Sequence, residues 1–433
     1  MNSANQQLKA WRFALRAKPV QERVLARWAG QLRWIWNQAL AEQRARHARG
    51  EKYASYVEMA KWLTSWRNAP ATAWLAEGPS QPQQQILKRL DEAYQRFFKK
   101  TGGFPRFKKH GFEPGIRFPD PKQFELDEAG QRLKLPKLGW IRLRLSRPAE
   151  GELRNVSISK EGNRWYASIQ TRSGMILPAA DITPTLGIDL GVAAFAATSS
   201  EQLVQPLNGL KRQQQRLRRH QRSVARKVKG SCNRKKAVKR LAALHRRIAR
   251  QRSDWLHQLS THLASEHAVI AIEDLKVRNM SASARGTADK PGKQVKAKAG
   301  LNRSILDQGW AEFRRQLDYK LKAAGGELIP VNPAYSSRTC RLCQHESADN
   351  RRAQALFACV ACGHTEHADI HAAKVILQRG IKAVEERQAI STAAGHAASA
   401  CGLGSKTKER CQAACGSPRE AGTHRSSQAR SGD

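Results

Sequence analysis

The chain has 433 residues, enough for two to four domains with sizeable cores. It carries 77 Lys and Arg against 36 Asp and Glu, a formal net charge of +41, so a polyanion, by default nucleic acid, is the expected partner. No stretch of about eighteen apolar residues occurs and the first residues lack the apolar core of an export signal, which argues against membrane insertion or secretion.

Residues 1–18 read as a strand, with Leu8, Trp11, Phe13 and Leu15 spaced along it. Pro19 then opens a helix, where its missing N–H costs nothing. Val24, Trp28, Leu32, Ile35 and Trp36 form one apolar stripe of that helix. Further helices are expected over 56–66 and 85–99, and their aromatic residues read as core. Gly102 and Gly103 end the helical part. In Phe104-Pro-Arg-Phe-Lys-Lys109, aromatic side chains alternate with Arg106 and Lys108, a mix suited to a loop facing nucleic acid. From 115 to 178 the period becomes two, with strands over 140–145, 156–159 and 165–169. These predict a small antiparallel barrel whose outer face carries Arg142 and Arg144 toward nucleic acid.

A boundary falls at 177–184. An apolar strand follows over 186–195, carrying a single acid, Asp189, between Gly187 and Gly191. Helices are expected over 209–264, turning at Gly230-Ser231. Between Lys211 and Arg252 there are eighteen Lys and Arg, including Arg218, Arg219 and Arg222, and no acid. Helices of one sign repel themselves unless a phosphate backbone lies along them. A strand over 268–272 ends in Glu273. Residues 281–300 read as a flexible loop, 304–323 as one helix, 327–331 as a strand, and 369–378 as a helix with Asp369 at its start. Residues 385–433 read as a disordered tail, in which Cys411 and Cys415 are an incidental pair.

Cys340 and Cys343, then fifteen residues, then Cys359 and Cys362, make two CxxC knuckles at zinc spacing. Four thiolates close the coordination shell, so one Zn2+ here is structural and the chemistry lies elsewhere. The other cysteines, Cys232, Cys401, Cys411 and Cys415, are scattered, which suits a reducing, cytoplasmic compartment. Asp189, Glu273 and Asp369 are the candidates for chemistry. An acid in an apolar strand needs something to stabilise its charge. Two Mg2+ ions clamped by carboxylates would do so, and would activate water for phosphodiester cleavage.

These residues carry a resemblance. Gly187-Ile-Asp-Leu-Gly191, Ile272-Glu-Asp-Leu275, the paired knuckles, the run from Ala368-Asp369 to Ala372-Ala373, Gln251-Arg-Ser-Asp-Trp-Leu-His257 and Asp307-Gln-Gly-Trp-Ala-Glu-Phe-Arg-Arg-Gln-Leu317 resemble the transposon-encoded TnpB family. The likeness is specific from 184 to 378 and looser from 8 to 170. It implies an RNA-guided DNA endonuclease of an insertion sequence, related to the type V CRISPR effectors. Its guide would derive from the transposon end and its substrate would be double-stranded DNA. The implied fold is α+β and multidomain: an RNase H-like (RuvC) nuclease with a zinc-ribbon insertion, plus an N-terminal barrel interrupted by helices. The implied domains are a wedge barrel in two parts, 1–18 and 102–180, and a helical recognition domain over 19–101. The nuclease would occupy 181–334 and 367–384, with a lid at 281–300 and the zinc ribbon at 335–366. Asp189, Glu273 and Asp369 become the catalytic, magnesium-binding triad. His371 stands where the family usually has Asn, two residues beyond the last acid, and a histidine there titrates near neutral pH.

Three other readings compete. A guided repressor with a dead nuclease site does not need the intact triad. A zinc-ribbon RNA-binding protein explains the charge and cysteines but not the three acids. A transposase, or an accessory protein in transposition, lacks a Tyr-His-His type signature here. The sequence does not fix the oligomeric state.

Overall fold

The computed structural model describes residues 6–109, 111, 114–162, 164–174, 184–287 and 290–400. The first half contains β1 (Gln6–Arg16), α1 (Pro19–Ala48), α2 (Tyr56–Asn68), α3 (Ser80–Phe98), β2 (Ile116–Phe118), β3 (Glu125–Asp127), β4 (Arg132–Leu135), β5 (Gly139–Arg144), β6 (Glu152–Glu161) and β7 (Arg164–Gly174). Helix α1 begins at Pro19, and the Gln21 side chain turns back to accept from the Lys18 N–H at 3.0 Å. Its stripe, Leu25, Trp28, Leu32, Ile35 and Leu40, is buried. Helix α2 opens with a capping box, Glu58 accepting from the Ser55 N–H.

The strands form one antiparallel sheet in the order β2-β6-β7-β1-β5-β4-β3. Among the described residues no pairing joins β2 to β3, so the sheet is open where the sequence suggested a closed barrel. The reason is visible in the core. Phe13, Ile141, Val156, Trp165 and Ile169 of the sheet share one cluster with Trp28, Ile35, Leu87 and Leu90 of the helices. The helices cover the apolar face, so closure is not needed to bury it.

The second half contains β8 (Leu186–Leu190), β9 (Ala196–Thr198), β10 (Leu203–Val204), α4 (Gly209–Ala225), α5 (Cys232–Glu266), β11 (Val269–Glu273), α6 (Val277–Met280), α7 (Val295–Gln308), α8 (Trp310–Ala323), β12 (Glu327–Val331), β13 (Leu356–Ala358), β14 (Thr365–His367) and α9 (Ala368–Ala400). Its main sheet runs β10-β9-β8-β11-β12. Strands β8, β11 and β12 pair in parallel, whereas β9 pairs antiparallel with both β8 and β10 and so alone runs against the rest. Helix α9 packs directly on β8 at Gly187, where a Cβ would stand 2.2 Å from the Ala373 carbonyl oxygen. Only glycine lets the helix come this close, and the approach carries Asp369 toward the end of β8.

Two sequence expectations change here. The single helix expected over 304–323 is two, because Gly309 sits at φ +78° and separates α7 from α8. Helix α7 starts at Val295 and so takes up the last third of the expected loop 281–300. The tail expected to be disordered from 385 is helical to Ala400. Residues such as Glu385, Glu386, Arg387, Gln388 and Ala389 favour helix whatever their packing, and Arg387 is anchored by Glu327 at 2.7 Å. Residues 401–433, with Cys411 and Cys415, lie outside the described residues, as does nearly all of the expected boundary at 177–184.

Asp307, just before that break, holds the arginine-rich pair in place. Its carboxylate, 5% exposed, accepts from the Leu210 N–H at 2.9 Å and the Lys211 N–H at 3.4 Å, and meets Arg252 at 3.4 Å. It therefore caps α4 from a distant part of the chain, where Asn208 gives no side-chain cap. Asp307→Ala is expected to lower stability by about 2–3 kcal/mol in denaturant unfolding, since a charged acceptor is lost from buried donors. Asp307→Asn, which keeps an acceptor oxygen, is expected to lose clearly less.

Candidate active site

Parallel pairing places Ile188 of β8 directly beside Ile272 of β11. Asp189 and Glu273 follow these two residues at the same end of neighbouring strands. Asp369 lies in the first turn of α9, which packs against both strands. Glu273 is buried and accepts from the Ser336 hydroxyl at 2.9 Å. Its carboxyl is pushed up from the ordinary range by burial, although Ser336 and the charge of Arg379 oppose this. Asp189 is pushed up to about 8, by burial first and then by the negative charges of Glu273 and Asp369. Glu273 and Asp369 thus both bear on Asp189.

They do not, however, close into a tight cluster. Among the described residues, only two groups bring three or more ligand atoms within 4.8 Å of one another: the four cysteines, and His364 with Glu366 and His371. Asp369 is held instead by Arg351, whose Nη2 donates to Oδ1 at 2.8 Å. Arg351 belongs to a short turn, Ala348–Arg351, in the segment between the knuckles, and its charge also reaches Asp189. No spacing in the sequence signals this arginine. Asp274, by contrast, faces away and pairs with Lys276 and Arg314, as expected for the next residue along a strand.

One buried and two partly buried acids beside one guanidinium suit divalent cations. The repulsion that raises Asp189 is what a cation would relieve, and an all-oxygen donor set suits Mg2+. The four cysteines suit zinc better still. Cys340 and Cys362 Sγ lie 3.7 Å apart, and Cys343 and Cys359 Sγ 3.6 Å. A tetrahedron with metal–sulfur bonds of about 2.3 Å has edges of roughly 3.8 Å. The Cys359 thiol is pulled down to about 6, chiefly by the Cys362 N–H with the Ala361 N–H adding, which favours the thiolate.

His371 does not face the acids. It is fully buried, stacks on Phe357 with ring centroids 3.6 Å apart, and meets the Thr339 carbonyl through Nε2 at 3.0 Å. Burial lowers its pKa, so it stays neutral at neutral pH and its place in the family's Asn position does not put a titrating group in the site.

The predicted nucleic-acid residues divide. Arg142 and Arg144 are exposed on β5. Arg142 lies between Arg16 of β1 and Arg132 of β4, like charges in register that are unfavourable unless an anion lies across them. Arg218, Arg219 and Arg222 are exposed on α4, and among the described residues no acid pairs with any of them. Arg106 is exposed, and its carbonyl accepts from the Trp36 indole. Lys108 lies over the Trp36 ring, 4.4 Å from its centroid, so it is partly engaged within the protein.

The fold is shared with a solved structure. It superposes on the structure titled "Cryo-EM structure of the Cas12f1-sgRNA-target DNA complex" with a TM-score of 0.50, covering 86% of this chain and 99% of that one at 13% identity. The OrfB_IS605 family profile, described as "Probable transposase", matches residues 168–284, and "Cas12f1-like, TNB domain" matches 310–376. A profile described as "Helix-turn-helix domain" matches 4–52, of which 6–48 hold a strand and one long helix. The chain is 45% identical over 91% of its length, and 94% of the relative's, to "Putative RNA-guided DNA endonuclease InsQ" of Escherichia coli (strain K12). It is 34% identical over 90% of its length, and 91% of the relative's, to "Putative RNA-guided DNA endonuclease" of Streptomyces pristinaespiralis. The chain belongs to the TnpB family, the OrfB proteins of IS605-type insertion sequences. No helix among the described residues is long and apolar enough to cross a membrane.

Proposed function

We propose that this chain is an RNA-guided DNA endonuclease of an insertion sequence, hydrolysing phosphodiester bonds in double-stranded target DNA. The observation that carries the reading is the placement of Asp189 and Glu273 at one end of neighbouring strands, with Asp369 in the first turn of the helix packed on them, in a chain with a net charge of +41. The sheet, five strands of which only β9 runs against the others, supports an RNase H-like (RuvC) nuclease over 181–334 and 367–384. The sulfur spacings support a structural zinc ribbon over 335–366.

Asp189, Glu273 and Asp369 would hold two Mg2+, whose chemistry is to activate the attacking water and neutralise the leaving oxygen. The chain's own part is to present the three carboxylates from rigid elements. Arg351 adds a cation able to meet a phosphate oxygen beside Asp369. The open sheet, 1–18 with 102–180, and the helical insertion, 19–101, would be the wedge and recognition domains. Arg106, Lys108, Arg142, Arg144, Arg218, Arg219 and Arg222 would contact guide or target through the backbone, leaving sequence to base pairing. The guide would come from the transposon end, the site of action would be the nucleoid in the cytoplasm, and 281–294 would gate the site.

The test is to sequence the RNA that copurifies with the protein. A discrete transcript from a transposon end is the expected result. Bulk cellular RNA without such a species would refute guided action and favour a general RNA-binding role.

A further inference from the structure

One cluster outside the acids has no role so far. Glu366, in β14, stands among Arg341, His364, His371 and Lys374. Arg341 Nε donates to Glu366 Oε2 at 3.0 Å, and Lys374 Nζ donates to Oε1. His364 Nε2 and His371 Nδ1 each lie 3.3 Å from Oε2. Lys374 also reaches Glu201, in the turn between β9 and β10, at 2.7 Å.

His364, Glu366 and His371 approach closely enough to suggest a second metal centre. The charges argue otherwise. Two fixed cations already take both oxygens of Glu366, and a divalent ion there would face both of them. His371 is moreover committed to Thr339 and Phe357.

What the cluster does is join parts. Arg341 lies inside the first cysteine knuckle and His364 two residues beyond the second. His371 and Lys374 lie on α9, two and five residues past Asp369. Helix α9 begins directly after β14, so the orientation of the cysteine module fixes the first turn of the helix. Glu366 touches Arg341 of the first knuckle, His364 just past the second, and His371 and Lys374 of the helix. Its side chain is 14% exposed, so these ion pairs are poorly screened.

We propose that Glu366 is a positioning residue for the nuclease site, bolting the start of α9 to the cysteine module so that Asp369 stands against Asp189 and Glu273. The proposal rests on reading those three acids as the catalytic carboxylates. It assigns the module a task besides any contact with nucleic acid: holding one of them in place.

Glu366→Gln keeps the shape and removes the charge. In the RNA complex the variant is expected to retain one zinc per chain and wild-type target affinity. Amide exchange over 368–375 is expected to quicken, and single-turnover cleavage at limiting Mg2+ to fall about 10–100-fold, the usual cost of losing a support to a metal ligand. Raising Mg2+ should recover much of the rate, which a general loss of fold would not allow. Unchanged exchange together with a wild-type Mg2+ dependence would overturn the proposal. So would two metal equivalents in the wild type, one of them lost in Glu366→Gln, since the cluster would then be a metal centre. If Glu366→Gln does not fold, Lys374→Met removes the α9 lysine's ion pairs with Glu366 and Glu201 and leaves the knuckle side of the cluster intact. The same rise in exchange is expected with zinc retained, and its absence counts against the bolt. Should the wild type cut no guided DNA at all, the functional reading falls, while the exchange measurement still judges the bolt.

Discussion

Asp189→Ala is expected to abolish DNA cleavage, by more than about 10³-fold or roughly 4 kcal/mol of transition-state stabilisation, while leaving RNA and target binding intact. The separation follows from position. Asp189 is partly buried at the end of β8 beside Glu273, whereas Arg142, Arg144, Arg218, Arg219 and Arg222 are exposed on other elements. A variant that still cuts at a measurable fraction of the wild-type rate would remove Asp189 from the site. A second signature does not depend on turnover. The Asp189 carboxyl is pushed up to about 8 from an ordinary 3.8, by burial first and by its two acidic neighbours next. A carboxyl raised in the folded state contributes stability that is full below the unfolded value, and it is lost as pH rises through the folded value. Without added Mg2+ and with zinc retained, thermal stability should therefore fall between about pH 4 and pH 8. Glu273, raised in the same sense, adds to the fall. Mg2+ should remove most of the loss at pH 8 and do little at pH 5. Asp189→Asn should flatten the profile, and an equally steep profile in that variant would place the titration elsewhere.

Much of this site can be read from the sequence because its parts are short and stereotyped. Gly187 and Asp189 belong to one apolar strand, and the glycine has a geometric reason, the approach of Ala373. The knuckle spacings alone prescribe four convergent sulfurs, and the structure brings them together. What stayed hidden depends on three-dimensional juxtaposition. Arg351 lies in a polar turn with no periodicity, and only the fold carries it to Asp369. Asp307 resembled part of a helix start, yet it caps a different helix about a hundred residues earlier in the chain. His371 looked like a titrating residue near the acids, but a stacking partner fourteen residues upstream turns it away. The open sheet was missed for a related reason. Alternation shows that a strand has an apolar face, and cannot show whether helices or other strands cover it. The extension of α9 to Ala400 carries no periodic signal, because alanine favours a helix without an apolar stripe.

Removing zinc is expected to eliminate cleavage while sparing most of the fold. The cysteine module has almost no core of its own: Phe357 and Ala368 pack with Cys340 and Cys359 and little else. Its one sheet is the two-stranded hairpin of β13 and β14, which is marginal alone in water. A structural zinc site supplies about 10–16 kcal/mol at neutral pH, so loss of the ion should unfold this segment. The two large cores, around Trp28 and Ile169 and around Phe195 and Phe313, do not include it and should persist. The strands carrying Asp189 and Glu273 would then remain, but Ser336 would leave Glu273, Arg351 would leave Asp369 and the Phe357–His371 stack would open. Treatment with a zinc-selective chelator, followed by ample Mg2+, should therefore leave the main thermal transition nearly unchanged. Proteolysis should become rapid within 335–366, and cleavage should stay absent until zinc is returned. Cys359→Ser should behave as the chelated protein does and resist rescue by zinc. Cleavage at the wild-type rate by zinc-free protein would show that the module takes no part in placing Asp369, and that the helix after β14 holds its first turn unaided.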